Sequence, residues 1–149
     1  VQILKTLLKR IKLNLKCKLK RNKSQKMSNW KYFTEKELQC KHTGTCAMDD
    51  AFMEKLDAIR EECGFPFVIT SGYRSPEHPI EAKKTTPGAH ASGKAVDILL
   101  SMDQAYTVVE VAFKHGIPRI GISQKGDRGS RFIHLDMDTA RASPRIWSY

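Results

Sequence analysis

The 149-residue sequence has little cysteine, no long apolar run and no excess of basic residues over most of its length. Four cysteines at irregular spacing, without a C-x-x-C pair, are too few for a disulfide framework in a domain of this size. No stretch approaches the roughly 20 consecutive apolar residues that a membrane-spanning helix needs. These absences exclude a disulfide-stapled scaffold, and we expect no stable insertion into a membrane.

The formal charge of +10 is concentrated at the start of the chain. Ten of the 26 basic residues and none of the 16 acidic residues lie in residues 1–26, so the rest of the sequence is neutral. A protein that tracks phosphates needs its basic residues on the folded surface that meets the nucleic acid. We therefore expect no nucleic-acid partner, unless the basic leader alone binds one.

The leader, residues 1–26, has a helical pattern interrupted by lysines. Its apolar residues recur at helical spacing: Leu4, Leu8, Ile11 and Leu15. Charges break every apolar run and no A-x-A-like cleavage site follows, so it is not a recognisable signal peptide. It is either a basic helix that lies on a membrane surface or sequence upstream of a natural start at Met27. We predict a domain at 27–149 and a leader outside the fold.

Three of the cysteines could be structural. Cys40, His42 and Cys46 are close in sequence, and with Cys63 they could form a zinc knot, although their spacing matches no standard ligand pattern. The alternatives are buried thiols or a single bridge between Cys40 and Cys46.

Apolar periodicity and turn residues predict an α+β domain. One helix covers 48–63 with Asp49 as its N-cap, and a second follows Ser101, whose side chain forms a capping box with Gln104. The apolar stripe of the second helix runs from Ala105 to Phe113. Strands are predicted at 66–70, 95–100, 119–122 and 131–136. The expected fold is a small, mainly antiparallel sheet with helices packed on one face.

Two segments could supply a metal site. His90 lies in a loop of small residues and Asp97 lies in the next strand, while Gly93 allows the chain between them to fold back closely. A late strand carries His134 and, two residues on, Asp136, so both side chains point to one face. Pairing of the two strands would bring three metal ligands together, which leaves the fourth zinc position for water.

These segments together are more specific than any one of them. The order SGYRS at 71–75, HASGKAVD at 90–97 and FIHLD at 132–136 resembles the D-alanyl-D-alanine metallocarboxypeptidase family, which includes zinc carboxypeptidases and phage endolysins. The resemblance runs from about residue 32 to residue 138. It implies a single-domain zinc peptidase that cleaves peptides containing D-amino acids in peptidoglycan, as a carboxypeptidase or as an endopeptidase.

The resemblance also implies roles for individual residues. His90, Asp97 and His134 would hold one zinc ion per chain, and Arg74 would bind the substrate carboxylate or stabilise the oxyanion. A guanidinium suits both tasks, because it pairs with a carboxylate through two hydrogen bonds and stays charged. The alternative for Arg74 is a salt bridge within its loop.

One position departs from the family pattern. Many relatives place the catalytic acid three residues before the last histidine, where this chain has Arg131. We assign the general base to Asp136, with Asp127 next, and keep the alternative that Asp136 orients a ligand imidazole. Two histidines are assigned only local roles, in a loop and at a helix end: His78 and His115.

The missing acid favours a second hypothesis, in which the domain is a non-catalytic, zinc-stabilised module that binds cell wall or belongs to a phage particle. For either hypothesis we expect a monomer that acts on peptidoglycan in the periplasm or cell wall. Without a recognisable signal peptide, a phage lysin made in the host cytoplasm fits better than an enzyme exported through the secretory pathway.

Overall fold

A five-stranded mixed sheet forms the centre of residues 29–149, the part of the chain that the computed structural model describes. Its strands are β1 (Val68–Ser71), β2 (Ala95–Leu99), β3 (Arg119–Ser123), β4 (Phe132–Asp136) and β5 (Arg145–Ser148). Their order is β1-β2-β4-β3-β5, and each pair is antiparallel except β3 with β5. The α+β prediction with a mainly antiparallel sheet is confirmed, while β5 was not predicted.

Two of the sequence predictions concern the leader and the insertion of the chain into a membrane. The leader lies outside the described residues, so the domain boundary at Met27 stays a prediction. Within residues 29–149, no helix is long and apolar enough to cross a membrane.

Four helices accompany the sheet in this part of the chain. They are α1 (Glu35–Leu38), α2 (Asp50–Cys63), α3 (Pro79–Ala82) and α4 (Met102–Lys114), with a 3-10 turn at Arg128–Ser130. Helix α2 begins as predicted, because the Asp49 carboxylate accepts the backbone N–H of Phe52 at 2.9 Å. It ends where Gly64 takes a left-handed conformation with φ 73°.

The start of α4 differs from the prediction. Ser101 is the N-cap residue, but its side chain makes no capping hydrogen bond, so the capping box with Gln104 is wrong. Met102 adopts φ 57°, and this left-handed residue separates the Ser101 hydroxyl from the first turn of the helix. The predicted stripe is also wrong at its end: Ala112 is buried but Phe113, about 100° further round the helix, is half exposed.

The apolar core lies between the sheet and the two long helices. Side chains of a strand alternate between its faces, so Ile133 and Leu135 of β4 point into this core and His134 and Asp136 point away from it. The fully buried side chains of the core include Phe52, Met53, Leu56, Ile59, Val96, Ile98, Val108 and Ile120. Burial of each larger one contributes about 1.5–3 kcal/mol. The helices therefore cover one face of the sheet, and polar side chains such as His134 and Asp136 lie on the opposite face.

Candidate metal centre

One row of residues crosses all five strands on the face away from the core. Ser71 lies opposite Asp97, Asp97 opposite His134, His134 opposite Gly121, and Gly121 opposite Trp147. Two predicted metal ligands are thus neighbours on adjacent antiparallel strands. The predicted pairing of the strand that carries Asp97 with the strand that carries His134 is present in the sheet.

The third predicted ligand comes from the loop before β2. His90 begins a tight turn whose end, Gly93, has φ 72° and donates its N–H to the His90 carbonyl at 3.3 Å. A Cβ at Gly93 would lie 2.0 Å from the carbonyl oxygen of Ala47, so only glycine fits there. The turn brings the ring of His90 to 5.1 Å from the ring of His134, measured between centroids.

The three side chains face one another through one donor atom each. A nitrogen of His90, a carboxylate oxygen of Asp97 and a nitrogen of His134 all lie within 4.8 Å of each other. The nearest pairs are His134 Nδ1 with Asp97 Oδ1 at 2.7 Å and His90 Nε2 with Asp97 Oδ2 at 3.4 Å. These distances allow one small cation to contact all three.

The remaining nitrogen of each imidazole is held by the protein. Nδ1 of His90 lies 2.7 Å from the carbonyl oxygen of Gly72, and Nε2 of His134 lies 2.7 Å from Asp136 Oδ2. Since a carbonyl only accepts, Nδ1 of His90 donates to Gly72 and leaves Nε2 turned toward Asp97. His134 lies between two carboxylates, which also only accept, so without a metal its nitrogens donate to Asp136 and to Asp97; a bound cation would take the place of the proton on Nδ1. Metal-binding histidines are typically oriented in this way by a carbonyl or a carboxylate.

The donor set fits zinc. Two imidazoles and one carboxylate are zinc ligands, and three protein ligands leave one tetrahedral position open. The rings of His90 and His134 are buried, and 13% of the Asp97 side chain is exposed, so the group lies at the floor of a cleft. No second group of three such ligands occurs in residues 29–149.

The cysteines form no part of this centre. Cys40, Cys46 and Cys63 are all free thiols, and they make no metal-binding group with His42. The hypothesis of a zinc knot and that of a bridge between Cys40 and Cys46 therefore find no support in the structure. The thiol of Cys40 is buried and those of Cys46 and Cys63 are half-buried, which agrees with the alternative of buried thiols.

The Asp97 carboxylate is ionised because its neighbours lower its pKa. Burial alone would raise the pKa of Asp97, but hydrogen bonds from His134 and His90 outweigh burial and hold this pKa well below its usual range. Burial would lower the pKa of His134, yet the carboxylates of Asp136 and Asp97 raise it. The carboxylate is thus ionised under working conditions, as a metal ligand must be.

Arg74 faces the cleft beside the three ligands, and one fifth of its side chain is exposed. Its Nε donates to Ser71 Oγ at 3.1 Å, while its Nη2 lies 3.6 Å from Asp97 Oδ2 and its Nη1 lies 3.8 Å from Glu81 Oε1. Both ion pairs are longer than hydrogen bonds. The terminal amino groups therefore retain donors for a ligand in the cleft.

Asp136 has no free oxygen. It is fully buried, its Oδ1 accepts Arg119 Nε at 2.8 Å and the backbone N–H of Asp138 at 3.0 Å, and its Oδ2 accepts from His134. This geometry matches the alternative in which Asp136 orients a ligand imidazole. Its role as general base stays a prediction that the geometry does not favour.

Neither the position of the missing acid nor the second candidate base, Asp127, lines the cleft. Arg131 lies between the 3-10 turn and β4, and its Nε and Nη2 donate to the carbonyl of Gly126. Asp127 is exposed at the start of the 3-10 turn and does not line the cleft.

His78 caps α3 and His115 pairs with Glu62 at the end of α4, so both have the local roles expected of them.

Sequence patterns missed most of the walls of the cleft, whose volume is about 340 Å³. These walls are basic and aromatic, and the guanidinium of Arg119 lies against the indole of Trp147. The residues are Lys84, Arg119, Arg141, Phe132, Trp147 and Tyr149. Arg119 had one available signal: a basic residue opens an otherwise apolar strand, directly opposite Asp136 in the hairpin. Trp147 of β5 and Tyr149 just after it had none, because that strand is short and follows a turn-rich segment.

Two comparisons with known proteins bear on this site. A sequence model of the family described as Peptidase M15 matches residues 31–136, more than half of the chain. The match includes His90, Asp97, His134 and Arg74 and ends before β5. A search of curated proteins finds no match to the chain.

Proposed function

The chain belongs to the peptidase M15 family, and from this premise we propose that it is a zinc-dependent peptidase that hydrolyses peptide bonds in peptidoglycan. His90, Asp97 and His134 hold one zinc ion per chain. The substrate is a cell-wall peptide containing D-amino acids. The protein acts as a monomer in the periplasm or cell wall, and a phage origin would account for its delivery there.

One observation carries this proposal. Three potential ligand atoms converge within 4.8 Å, and each imidazole turns one nitrogen toward that point while its other nitrogen donates to Gly72 or to Asp136. Metal-binding histidines typically donate their second ring nitrogen to a carbonyl or a carboxylate, and both imidazoles here do so. The site is also open to a cleft large enough for a peptide segment.

The chemistry divides between the ion and the chain's own residues. Zinc in such a site supplies a Lewis acid that activates water and polarises a carbonyl. Arg74, at 3.6 Å from Asp97, binds the terminal carboxylate of a substrate or the oxygen that becomes negative during hydrolysis. The first task belongs to a carboxypeptidase and the second serves an endopeptidase as well, so the proposal includes both.

The test is turnover of purified peptidoglycan by the full chain, before and after a chelator and after zinc is restored. We expect release of soluble products that stops with chelation and returns with zinc. Mass spectrometry of the products separates the two activities, because a carboxypeptidase releases single D-amino acids and an endopeptidase releases larger fragments. His90→Ala should abolish turnover, and His78→Ala, outside the site, is the matched control.

A second candidate is a zinc-stabilised module that binds cell wall without cleaving it. Two observations favour it: Arg131 replaces the usual acid, and the acids that line the cleft, Asp97 and Asp136, are both engaged by basic groups. Co-sedimentation with peptidoglycan, at full zinc occupancy and without soluble products, would support this candidate and contradict the first.

A further inference from the structure

We propose that Trp147 is a positioning residue of the metal centre, and that strand β5 is therefore a functional part of the site. The proposal rests on the proposed function only in that His90, Asp97 and His134 hold the metal. It assigns a role to a residue outside the segment that matches the family and outside the motifs that the sequence displays.

Trp147 packs directly against a metal ligand. The ring of His134 contacts the ring of His90 at 5.1 Å and the ring of Trp147 at 5.3 Å, measured between centroids. Its two nitrogens are meanwhile directed at Asp97 and Asp136. The hydrogen bonds fix the direction of the two nitrogens. The indole packs on the imidazole ring and limits its tilting about the line between Asp97 and Asp136.

The backbone of β3 leaves room for this contact. Gly121 lies between His134 and Trp147 in the sheet, and a Cβ at Gly121 would lie 2.8 Å from two atoms of the indole and 2.9 Å from the ring of Tyr149. The φ of Gly121 is not positive, so glycine is needed here for space and not for backbone conformation. Any side chain at 121 would push the aromatic rings off the sheet.

Trp147 also covers the ion pair that holds the same histidine. The guanidinium of Arg119 lies 5.1 Å from the indole centroid, and Arg119 Nε donates to Asp136, whose other oxygen accepts from His134. Only 8% of the Arg119 side chain and 1% of the Asp136 side chain are exposed. An indole over the pair excludes water and adds a cation–π contact, which strengthens the hydrogen-bond chain to His134.

Trp147 is the one residue of β5 that is not exposed. This four-residue edge strand pairs with β3 alone, and its other residues, Arg145, Ile146 and Ser148, are exposed. Apart from the backbone pairing with β3, the side-chain contacts that seat the strand are therefore those that Trp147 makes with His134 and Arg119. Thermodynamic reciprocity then requires that a metal bound at His134 also stabilises the seating of β5.

The experiment measures zinc affinity of the full chain by competition with a chromophoric chelator, and the absorption spectrum of the cobalt-substituted protein. Trp147→Ala should weaken zinc binding about 10–100-fold, the usual effect of losing a residue that supports a ligand. Trp147→Phe should recover most of the affinity because it keeps an aromatic face. Ile146→Ala is the matched control, since Ile146 is exposed on the same strand and should leave affinity and cobalt spectrum unchanged.

A double-mutant cycle with Gly121 keeps the proposal testable if Trp147→Ala folds poorly. Gly121→Ala should weaken zinc binding when Trp147 is present, and should have a much smaller effect in the Trp147→Phe background, where the smaller ring can yield. Equal effects in both backgrounds, or a Trp147→Ala variant that binds zinc like Ile146→Ala, would overturn the proposal. Failure of the wild-type chain to bind zinc would instead refute the proposed function.

Discussion

Replacement of Asp136 by asparagine separates the two roles that this residue could have. Asparagine keeps the shape of the side chain but removes its charge and turns one acceptor into a donor. If the amide oxygen stays with Arg119 and the N–H of Asp138, the amide nitrogen faces His134 Nε2, which also donates. The imidazole must then move its proton to Nδ1, the nitrogen that faces the metal position. We therefore expect Asp136→Asn to damage zinc binding.

The magnitude follows from the burial of the pair. Arg119 loses its counter-ion in a place where 8% of its side chain is exposed, and removal of one partner of a buried ion pair costs about 3–5 kcal/mol. The loss of support for His134 should weaken zinc affinity about 10–100-fold. Adding Arg119→Met removes the unpaired charge, so the double variant should regain stability without regaining zinc affinity.

Urea unfolding of the zinc-free protein and chelator competition measure the two effects. Asp138→Asn is the matched control: this neighbouring carboxylate pairs with Arg141, which is more than one third exposed, so its loss should cost at most about 1 kcal/mol. Undiminished stability and zinc affinity, together with a rate about 10²–10⁴-fold lower, would refute this reasoning and identify Asp136 as the general base.

Three further predictions concern the site and the leader. Alanine at His90, Asp97 or His134 should lower zinc content sharply, because three ligands leave no spare; stoichiometric zinc in any one variant by metal analysis would remove that residue from the ligand set. Arg74→Lys should lower turnover of a defined muropeptide while zinc stays bound, since lysine keeps the charge but loses the paired donors; unchanged kinetics would leave Arg74 a structural role. A chain that starts at Met27 should fold and keep its activity, and a large drop in melting temperature would show that the leader packs on the domain.

Local chemistry in the sequence was enough to predict the two long helices, four of the five strands and the three residues that the structure brings together as a possible metal site. The cap at Asp49, the end of α2 at Gly64 and the strands that alternate in polarity depend on neighbours a few residues away, and the structure has them at the predicted places. The same alternation placed His134 and Asp136 on one face, where they are hydrogen-bonded. The candidate ligands could be selected from the sequence because few residue types bind zinc.

The role of each residue around the ligands was decided by contacts between distant segments. A sequence cannot show whether an oxygen of Asp136 is free, because its partner Arg119 reaches it only through the register of β3 on β4. Likewise, Trp147 reaches His134 only because β5 pairs with β3 in parallel, across a glycine that has no side chain to obstruct the rings. Residue type therefore determined what could bind the metal, and non-local strand pairing determined which neighbours hold those ligands, since register and close packing depend on the whole sheet.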